Sequence, residues 1–340
     1  MNDESVFNLI SWYQKNKRDL PWRHTKDAYK IWISEVMLQQ TRVDTVIDYY
    51  NRFIREIKDM KTLANISEEK LLKLWEGLGY YSRARNLQKC AIELISKNKN
   101  NLPKSKEELL SLPGIGPYTA GAILSIAYLQ KEPAIDGNVL RVLSRVYKDK
   151  RDMLNKNVRK EYEEILKKLM NNYLARDFTE SLIELGALIC LPNTTPKCLS
   201  CPLNQTCLAF LDNEVLNYPV KHPKAKRKII EKTVFVYTYK NTYQIQKRKE
   251  KLLHGLYEFP SIDEFIKDVE TYLKKKNIDY QDIKYLGEYK HVFSHLEWHV
   301  RAYQIQLTKK NEELYVTKQD LVKKYTFPTS FQGIIKNIKE

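Results

Sequence analysis

The chain has 340 residues and a mass of 40.3 kDa, which is more than one ordinary hydrophobic core needs and suits two or three domains. Hydrophobic residues make up 43% and charged residues 29%, a balance that excludes wholesale disorder and fibrous repeats. The net charge of +16 favours a polyanionic partner. No apolar run approaches the roughly 20 residues of a membrane span, and residues 1–4 lack a signal-peptide core. We therefore expect a soluble, cytoplasmic protein without a membrane partner.

Helical spacing dominates residues 5–210. Apolar residues recur three and four positions apart over 43–54 and again over 87–95. Asp27 and Ser67 are predicted to be N-caps of helices. The first part of the chain is therefore predicted to be all-α.

A change of period follows a basic segment. Residues 217–230 contain two prolines and five basic residues, which predicts a linker. Beyond it, residues 233–239 and 298–307 have the pattern of strands. Helices are expected over 265–276 and from Phe331. The predicted organisation is multidomain: an all-α domain over 1–216, the linker, and a smaller α+β domain over 231–340.

Four of the five cysteines form one cluster, Cys190, Cys198, Cys201 and Cys207. Four thiolates in one loop can bind zinc or a [4Fe–4S] cluster. Zinc sites more often use two paired C-x-x-C knuckles, and this loop has one. The spacing of the loop 190–207 therefore favours a [4Fe–4S] cluster with a structural role, and zinc remains the alternative. The fifth cysteine, Cys90, lies in a helical pattern and is predicted to be an inert core thiol.

A glycine-rich turn separates two helical patterns at Leu-Pro-Gly-Ile-Gly-Pro-Tyr-Thr-Ala, residues 112–120. Gly114 and Gly116 allow a tight turn and a close approach to a ligand, and Pro117 suits the first position of a helix. Amides at such a helix start can bind phosphate. This segment predicts a helix-hairpin-helix that grips a DNA backbone through Gly114 and Gly116 without reading bases.

Two carboxylic acids have positions of interest. Glu35 lies in a helix, residues 29–38, that is apolar nearly all the way round, so the carboxyl should be buried and its pKa raised enough to donate a proton near neutrality. A structural Glu bonded to backbone amides is an equally open interpretation. Asp136 precedes a helix that begins near Val139, and this pattern taken alone favours an N-cap.

Together with Leu20-Pro-Trp-Arg23 and the segment 35–42, Glu-Val-Met-Leu-Gln-Gln-Thr-Arg, these features resemble the MutY-type adenine DNA glycosylases of the helix-hairpin-helix superfamily. The resemblance covers essentially the whole chain. It implies a monomer that binds double-stranded DNA, flips adenine out of an A:8-oxoguanine or A:G mispair, and cuts its glycosidic bond in base excision repair.

The resemblance also assigns roles to residues. Glu35 would protonate the adenine, and Asp136 would stabilise the oxocarbenium-like sugar, either by its charge or by a transient covalent bond. Tyr118 and Asn138 would orient Asp136 or the attacking water. The substrate-binding positions would be Glu180 at the base, Leu20, Trp22 and Arg23 in the pocket wall, and Gln40 inserted into the base stack.

Two further expectations separate this chain from relatives. Bifunctional glycosylases carry a Lys in the hairpin where this chain has Tyr118, and a phenol cannot form a Schiff base, so we expect base removal without an efficient lyase step. The C-terminal part resembles the family's nudix-like lesion-reading domain, in which Phe293, Ser294 and His295 would contact 8-oxoguanine. Nucleotide hydrolysis there is disfavoured, because residues 255–260 are followed by no dense array of glutamates.

Two alternatives remain at this point. An endonuclease III-like or thymine mismatch glycosylase is disfavoured by Tyr118 and by the Phe-Ser-His segment. A DNA-binding protein without catalysis on the same scaffold is disfavoured by the presence of both Glu35 and Asp136.

Overall fold

The computed structural model describes residues 1–220 and 226–338. The chain divides into two compact units, which we call the helical unit, Met1–Asn65 with Arg85–Pro223, and the sheet unit, Ile66–Ala84 with Lys224–Glu340. Part of the predicted linker, residues 221–225, and the last two residues, 339–340, lie outside the described residues. The predicted domain limits therefore stay a prediction.

The α-helices are Asp3–Asn16 (α1), Ala28–Leu38 (α2), Val43–Glu56 (α3), Met60–Asn65 (α4), Glu68–Trp75 (α5), Ser82–Ser96 (α6), Lys106–Ser111 (α7), Pro117–Ala122 (α8), Gly137–Val146 (α9), Lys156–Leu169 (α10), Ala175–Leu188 (α11), Leu208–Leu211 (α12), Val269–Lys275 (α13), Lys318–Lys323 (α14) and Thr329–Asn337 (α15). The strands are Lys228–Tyr239 (β1), Thr242–Lys247 (β2), Tyr257–Glu258 (β3), Ser261–Ile262 (β4), Tyr280–Val292 (β5), Leu296–Leu307 (β6) and Leu314–Thr317 (β7). No helix in the described part of the chain combines the length and the apolar character that a membrane crossing requires.

Helix α11 organises the core of the helical unit, because it packs against both α1 and α9. Their facing side chains are fully buried and apolar, as the three- and four-residue spacing requires; they include Leu9, Leu143, Phe178, Leu182 and Leu185. Helix α2 begins as predicted at Asp27, whose carboxylate accepts a 2.9 Å bond from the Tyr29 amide. Because α2 packs against α3 and α8, its residues 31–37 are buried all round.

The sheet unit is built on the strand order β3-β2-β1-β6-β5, with β4 paired to β1 and β7 paired to β2. Strands β1 and β6 run parallel, and both confirm predicted strands. Strand β5 runs antiparallel to β6 and pairs as far as Val292 with Glu297, which leaves residues 293–295 as the turn between them. The helix expected over 265–276 is shorter and begins at Val269, because Asp268 caps it by accepting from the Thr271 amide.

Helix α5 belongs to the sheet unit although it lies far from that unit's strands in sequence. The predicted N-cap is confirmed, since the Ser67 hydroxyl accepts from the Lys70 amide. The Lys73 ammonium donates to the carbonyls of Val322 (2.6 Å) and Tyr325 (3.1 Å), near the end of α14. These bonds hold residues 66–84 to the sheet unit.

Candidate active site

An open cavity of about 670 Å³ lies in the helical unit, where five segments meet. Helix α2 supplies Glu35, the start of α8 supplies Tyr118, and the start of α9 supplies Asp136 and Asn138. The cavity also brings together the other predicted pocket residues, namely Leu20, Trp22, Arg23, Gln40 and Glu180. Residues that are far apart in the sequence thus share one concave surface, as a binding site requires.

Glu35 is buried in this cavity, with 6% of its surface exposed. The Tyr118 hydroxyl donates a 2.6 Å hydrogen bond to its Oε2 atom. Burial raises the pKa of Glu35 to about 7, although the hydrogen bond from Tyr118 acts in the opposite direction. Of the nearby charges, those of Glu180 and Asp136 raise this pKa further, and that of Arg23 lowers it. A carboxyl with this pKa is a proton donor near neutrality.

Asp136 caps helix α9, as its sequence pattern predicts, and also faces the cavity. Its Oδ1 atom accepts a 2.8 Å bond from the Val139 amide, and its Oδ2 atom accepts a 2.7 Å bond from the Asn138 side chain. Burial raises the pKa of Asp136, and these hydrogen bonds oppose the rise. Two donors, the Val139 amide and the Asn138 side chain, therefore stabilise the anion of Asp136. Asp136 is therefore both the N-cap of α9 and part of the cavity lining, and its catalytic role stays a prediction.

A close approach of two helices fixes Asn138. A side chain at Gly186 of α11 would place its Cβ atom 2.6 Å from the Cβ atom of Asn138, so only glycine fits there without displacement. The buried Arg141 then donates to the Asn138 Oδ1 atom and to the Gly186 carbonyl, both at 2.9 Å. Gly186 and Arg141 therefore fix the position of the Asn138 side-chain amide, which donates to Asp136.

The hairpin that carries Tyr118 forms as predicted. Gly114 has φ +78°, a left-handed conformation that favours glycine, and Pro117 is the first residue of α8. Gly114 and Gly116 are exposed. The burial of Tyr118, reinforced by the charge of Glu35, raises the pKa of its phenol well above the usual value, so the hydroxyl keeps its proton.

Two further polar residues, Glu180 and Gln40, line the same cavity. Glu180 accepts a 2.5 Å bond from the Tyr13 hydroxyl and a 3.3 Å bond from Arg176, both within the helical unit. Gln40 follows the end of α2, is exposed, and has φ 56°, which a residue without a β-branch can adopt at a helix end. Its predicted insertion into a base stack stays a prediction.

The four clustered cysteines line another, smaller cavity of the helical unit. Arg145, which is buried, donates a 3.2 Å bond to the Cys190 sulfur. Within the described residues no group of three or more His, Cys, Asp or Glu side chains stands arranged as a metal site. All four cysteines nevertheless line one largely apolar cavity, and this set of donors fits a sulfur-ligated group. Burial raises the pKa of Cys201 to about 12, so its thiolate would need a positive partner. The remaining thiol, Cys90, is fully buried, as predicted.

In the sheet unit, Phe293, Ser294 and His295 form the turn between β5 and β6. The Phe293 amide closes the turn by donating to the Leu296 carbonyl at 2.8 Å. The Phe293 ring meets Trp298 edge to face, with centroids 4.9 Å apart, whereas Ser294 and His295 are exposed. The turn therefore presents one braced aromatic ring and two polar side chains.

Glu258 lies on β3 of the sheet unit. Its side chain is buried and pairs with Arg248, and it also accepts a 3.2 Å bond from Gln246. The charge of Glu258 is therefore balanced by Arg248 within the fold.

Comparison with known proteins identifies the family. A family model described as "HhH-GPD superfamily base excision DNA repair protein" matches residues 33–168, and one described as "NUDIX domain" matches residues 233–337. An adenine DNA glycosylase of Buchnera aphidicola subsp. Baizongia pistaciae is 39% identical over 308 residues, which cover 88% of this chain and 86% of the relative. The chain belongs to the adenine DNA glycosylase family.

Solved structures support the fold of this glycosylase. A thermostable thymine-DNA glycosylase superposes with a TM-score of 0.56 at 29% identity and covers 61% of this chain and 95% of its own. An endonuclease III in a non-covalent DNA complex superposes with a TM-score of 0.53 at 22% identity and covers 63% of this chain and 98% of its own. The expected fold class, a helix-hairpin-helix glycosylase part followed by a smaller nudix-like α+β part, is confirmed.

The residues of the glycosylase cavity that the sequence analysis missed include Arg18 and Glu184. Glu184 lies four residues after Glu180 on α11, so both carboxylates occupy one face of the helix. That spacing was the available signal. Arg18 carried no comparable signal, because nothing in its local sequence distinguishes it from a surface arginine.

Proposed function

We propose that this adenine DNA glycosylase acts on adenine opposite 8-oxoguanine, and less well on adenine opposite guanine, by acid-assisted hydrolysis of the glycosidic bond. The observation that carries the proposal is that two carboxyl groups in different electrostatic surroundings, Glu35 and Asp136, line one cavity. The substrate is a base flipped out of duplex DNA, because a stacked base cannot reach a buried acid.

Glu35 is the general acid. Its burial and its pKa of about 7 keep about half of it protonated at neutral pH, so it can transfer a proton to a ring nitrogen of adenine. Protonation turns adenine into a neutral leaving group. The Tyr118 hydroxyl holds the Oε2 atom, which leaves the Oε1 atom of Glu35 free of that bond and able to face the base.

Asp136 is the anion that stabilises the sugar. As the glycosidic bond breaks, positive charge develops on the deoxyribose, and a fixed carboxylate nearby lowers the energy of that state. The Val139 amide and the Asn138 side chain hold both oxygens of Asp136 in place. The water that completes hydrolysis would be oriented by Asn138 or Tyr118.

The base would lie against Glu180, with Leu20, Trp22 and Arg23 as the pocket wall. Leu20 and Trp22 are buried and supply an apolar surface, and Glu180 supplies an acceptor for the exocyclic amine of adenine. Gln40 would fill the space left in the duplex, while the exposed amides near Gly114 and Gly116 would contact the phosphate backbone.

Strand cleavage is not expected of this enzyme. A lyase step needs an amine that forms a Schiff base with the sugar, and the hairpin places the phenol of Tyr118 beside Glu35 instead. Among the described residues that line the cavity there is no lysine. We therefore propose a monofunctional glycosylase.

The sheet unit would read the lesion. The ring of Phe293, braced by Trp298, would stack on the orphaned base, while Ser294 and His295 would bond the edge that distinguishes 8-oxoguanine from guanine. Cys190, Cys198, Cys201 and Cys207 would hold a [4Fe–4S] cluster, which, when bound, supplies cross-links that fix the 190–207 loop. The functional form would be a monomer with a helical domain over 1–216, a linker over 217–230 and a lesion-reading domain over 231–340.

The test is base release from a panel of duplexes that contain A:8-oxoguanine, A:G, A:T or T:G pairs, with products separated with and without alkali. The proposal expects free adenine from the first duplex, less from the second, and strand breaks only after alkali. Thymine released from the T:G duplex would favour an endonuclease III-like or thymine mismatch enzyme. Duplex binding without release of any base would favour a non-catalytic DNA-binding protein.

The lesion-reading part of the proposal has its own test. Phe293→Ala and His295→Ala should lower the rate on A:8-oxoguanine toward that on A:G and leave the A:G rate unchanged. Ile229→Ala, a truncation of an exposed apolar residue on β1, is the matched control. Equal losses on both duplexes would contradict the assignment.

A further inference from the structure

We infer that Glu184 is a positioning residue of the adenine pocket, which clamps Arg18 and Arg23 in the cavity wall and balances their charge. The inference deepens the proposed function and rests on it. No sequence pattern assigned a role to this residue.

Glu184 makes five hydrogen bonds although none of its side chain is exposed. Arg23 binds it in bidentate fashion, from Nη1 to Oε1 at 3.0 Å and from Nη2 to Oε2 at 2.8 Å. Arg18 does the same from Nε at 3.0 Å and Nη2 at 2.7 Å, and its backbone amide adds a bond at 2.9 Å. Bidentate pairing fixes the plane of each guanidinium as well as its distance.

The contacts of Arg23 connect Glu184 with Glu180, the residue that would bind adenine. Arg23 also donates to the Arg18 carbonyl at 2.8 Å, and its guanidinium lies 5.4 Å from the centre of the Tyr13 ring. The hydroxyl of that same Tyr13 donates to Glu180. A shift of Arg23 would therefore release the support of Tyr13 and, through it, that of Glu180. Glu184 acts on the base only through these neighbours, because both of its own oxygens are occupied.

A purely stabilising role is a poor explanation of this arrangement. A buried carboxylate between two guanidinium groups is often no more stable than a well-packed apolar cluster of the same size, because all three charges lose their hydration. What the ionic arrangement supplies is a fixed direction for two cations at the edge of a cavity. Both Arg18 and Arg23 line that cavity, as does Glu184 itself.

The clamp also sets the charge that Glu35 experiences. The charged or titratable groups around Glu35 are Tyr118 from α8, Asp136 at the start of α9, Glu180 from α11 and Arg23 from the loop after α1. Burial alone would raise the pKa of Glu184, but the bonds from the two arginines outweigh it and hold the pKa at about 2, so Glu184 is ionised at neutral pH. Loss of this negative charge leaves both cations uncompensated and favours the ionised form of Glu35.

The test compares wild type with Glu184→Gln in single-turnover release of adenine from an A:8-oxoguanine duplex across pH. We expect the rate constant at pH 7.5 to fall by about 10- to 100-fold. The alkaline limb of the profile should move to lower pH by about 1 unit, since Glu35 would lose its proton more readily. Glu184→Asp keeps the charge but is too short to reach both arginines, so it should lower the rate and leave the limb in place.

The matched control is Glu163→Gln, which removes a carboxylate that also pairs with two cations, Lys106 and Lys167, away from the cavity. It should change neither the rate nor the limb. Arg23→Gln provides a cycle: adding Glu184→Gln to it should cost less than Glu184→Gln costs alone. Additive losses would show that Glu184 does not act through Arg23 and would overturn the inference, as would a wild-type rate and limb in Glu184→Gln.

If circular dichroism shows that Glu184→Gln does not fold, the double variant Arg18→Gln, Glu184→Gln is tested in its place. The double variant leaves one cation, Arg23, without its carboxylate partner, whereas Glu184→Gln leaves two. Its net charge equals that of wild type, so the limb should stay while the rate falls, and an unchanged rate would overturn the inference. Failure of the proposed function is distinguishable, because wild type itself would then release no adenine.

Discussion

The Tyr118 hydroxyl donates a 2.6 Å hydrogen bond to the Oε2 atom of Glu35, and this bond works against the burial that raises the pKa of the carboxyl. One phenol therefore both orients the proposed acid and limits how strongly it retains its proton. Hydrogen bonding to a charged carboxylate favours ionisation, so loss of the phenol should make Glu35 harder to deprotonate.

We predict that Tyr118→Phe moves the alkaline limb of the pH–rate profile to higher pH, by about 1 unit. Single-turnover adenine release measured from pH 5 to pH 9 checks this. The matched control is Tyr29→Phe, which removes a buried hydroxyl on the same helix as Glu35 whose bond ends on the Ile57 carbonyl. A limb that moves to lower pH, or that moves equally in the control, would refute the prediction.

The same pKa predicts a cost in stability. The folded-state pKa of Glu35 is raised from 4.5 to about 7, so the folded protein binds a proton that the unfolded chain releases between those values. The contribution of Glu35 to the free energy of unfolding is therefore complete below pH 4.5 and is lost as the pH rises to about 7. Glu35→Gln does not titrate and should exceed wild type by about 3 kcal/mol in free energy of unfolding at pH 8.

Urea denaturation of wild type and Glu35→Gln at pH 5 and pH 8 measures this difference. The two proteins should differ little at pH 5 and clearly at pH 8. Glu163→Gln should behave in the opposite way: burial raises the pKa of Glu163, but its lysine partners outweigh that effect and lower it. A Glu35→Gln protein that is less stable than wild type at pH 8 would contradict a raised pKa of Glu35 in the folded protein.

Much of the site could be predicted from local sequence, for physical reasons that particular residues illustrate. Glu35 stands in a helix without a polar face, so burial follows from the helical period alone, and the structure shows it buried. Asp136 precedes a helix start, and it caps α9. Gly114 sits in a turn that demands a left-handed residue, and its φ is +78°. In each case the determining interaction spans only a few residues.

What the sequence could not predict depends on contacts between distant segments. Glu184 binds arginines 161 and 166 positions away, and no local pattern encodes that pairing. Helix α5 joins the sheet unit through Lys73, whose partners lie some 250 residues further along the chain. Strand β5 was missed because none of its residues is fully buried, so it lacks an alternating apolar face. Tertiary context, rather than propensity, decides these features.

Gly186 offers a prediction that depends on shape alone. In Gly186→Ala the new Cβ atom would lie 2.6 Å from the Asn138 Cβ atom, closer than two carbons can approach, so Asn138 must move and its bond to Asp136 must weaken. We expect adenine release to slow by about 10- to 100-fold. Single-turnover kinetics measure the rate, and thermal unfolding measures the accompanying loss of stability. An unchanged rate would mean that Asn138 does not hold Asp136 in its working position.

The cysteine cavity predicts the metal content. The purified protein should contain iron and inorganic sulfide at about four each per chain. Cys201→Ser should lose most of both, whereas Cys90→Ser, which alters the remaining buried thiol, should retain them. Elemental analysis with colorimetric sulfide determination gives these numbers. One zinc per chain, or equal iron in Cys201→Ser and wild type, would contradict the assignment.

The central claim is that Glu35 donates the proton and Asp136 remains an anion in the same cavity. The most direct test is single-turnover adenine release from an A:8-oxoguanine duplex by wild type, Glu35→Gln and Asp136→Asn, where Asn preserves the helix cap. Wild type should be active at acidic to neutral pH and should slow as pH rises through about 7. Both variants should be slower by at least about 100-fold while still folded and able to bind the duplex. Adenine release by Glu35→Gln at the wild-type rate would contradict the account.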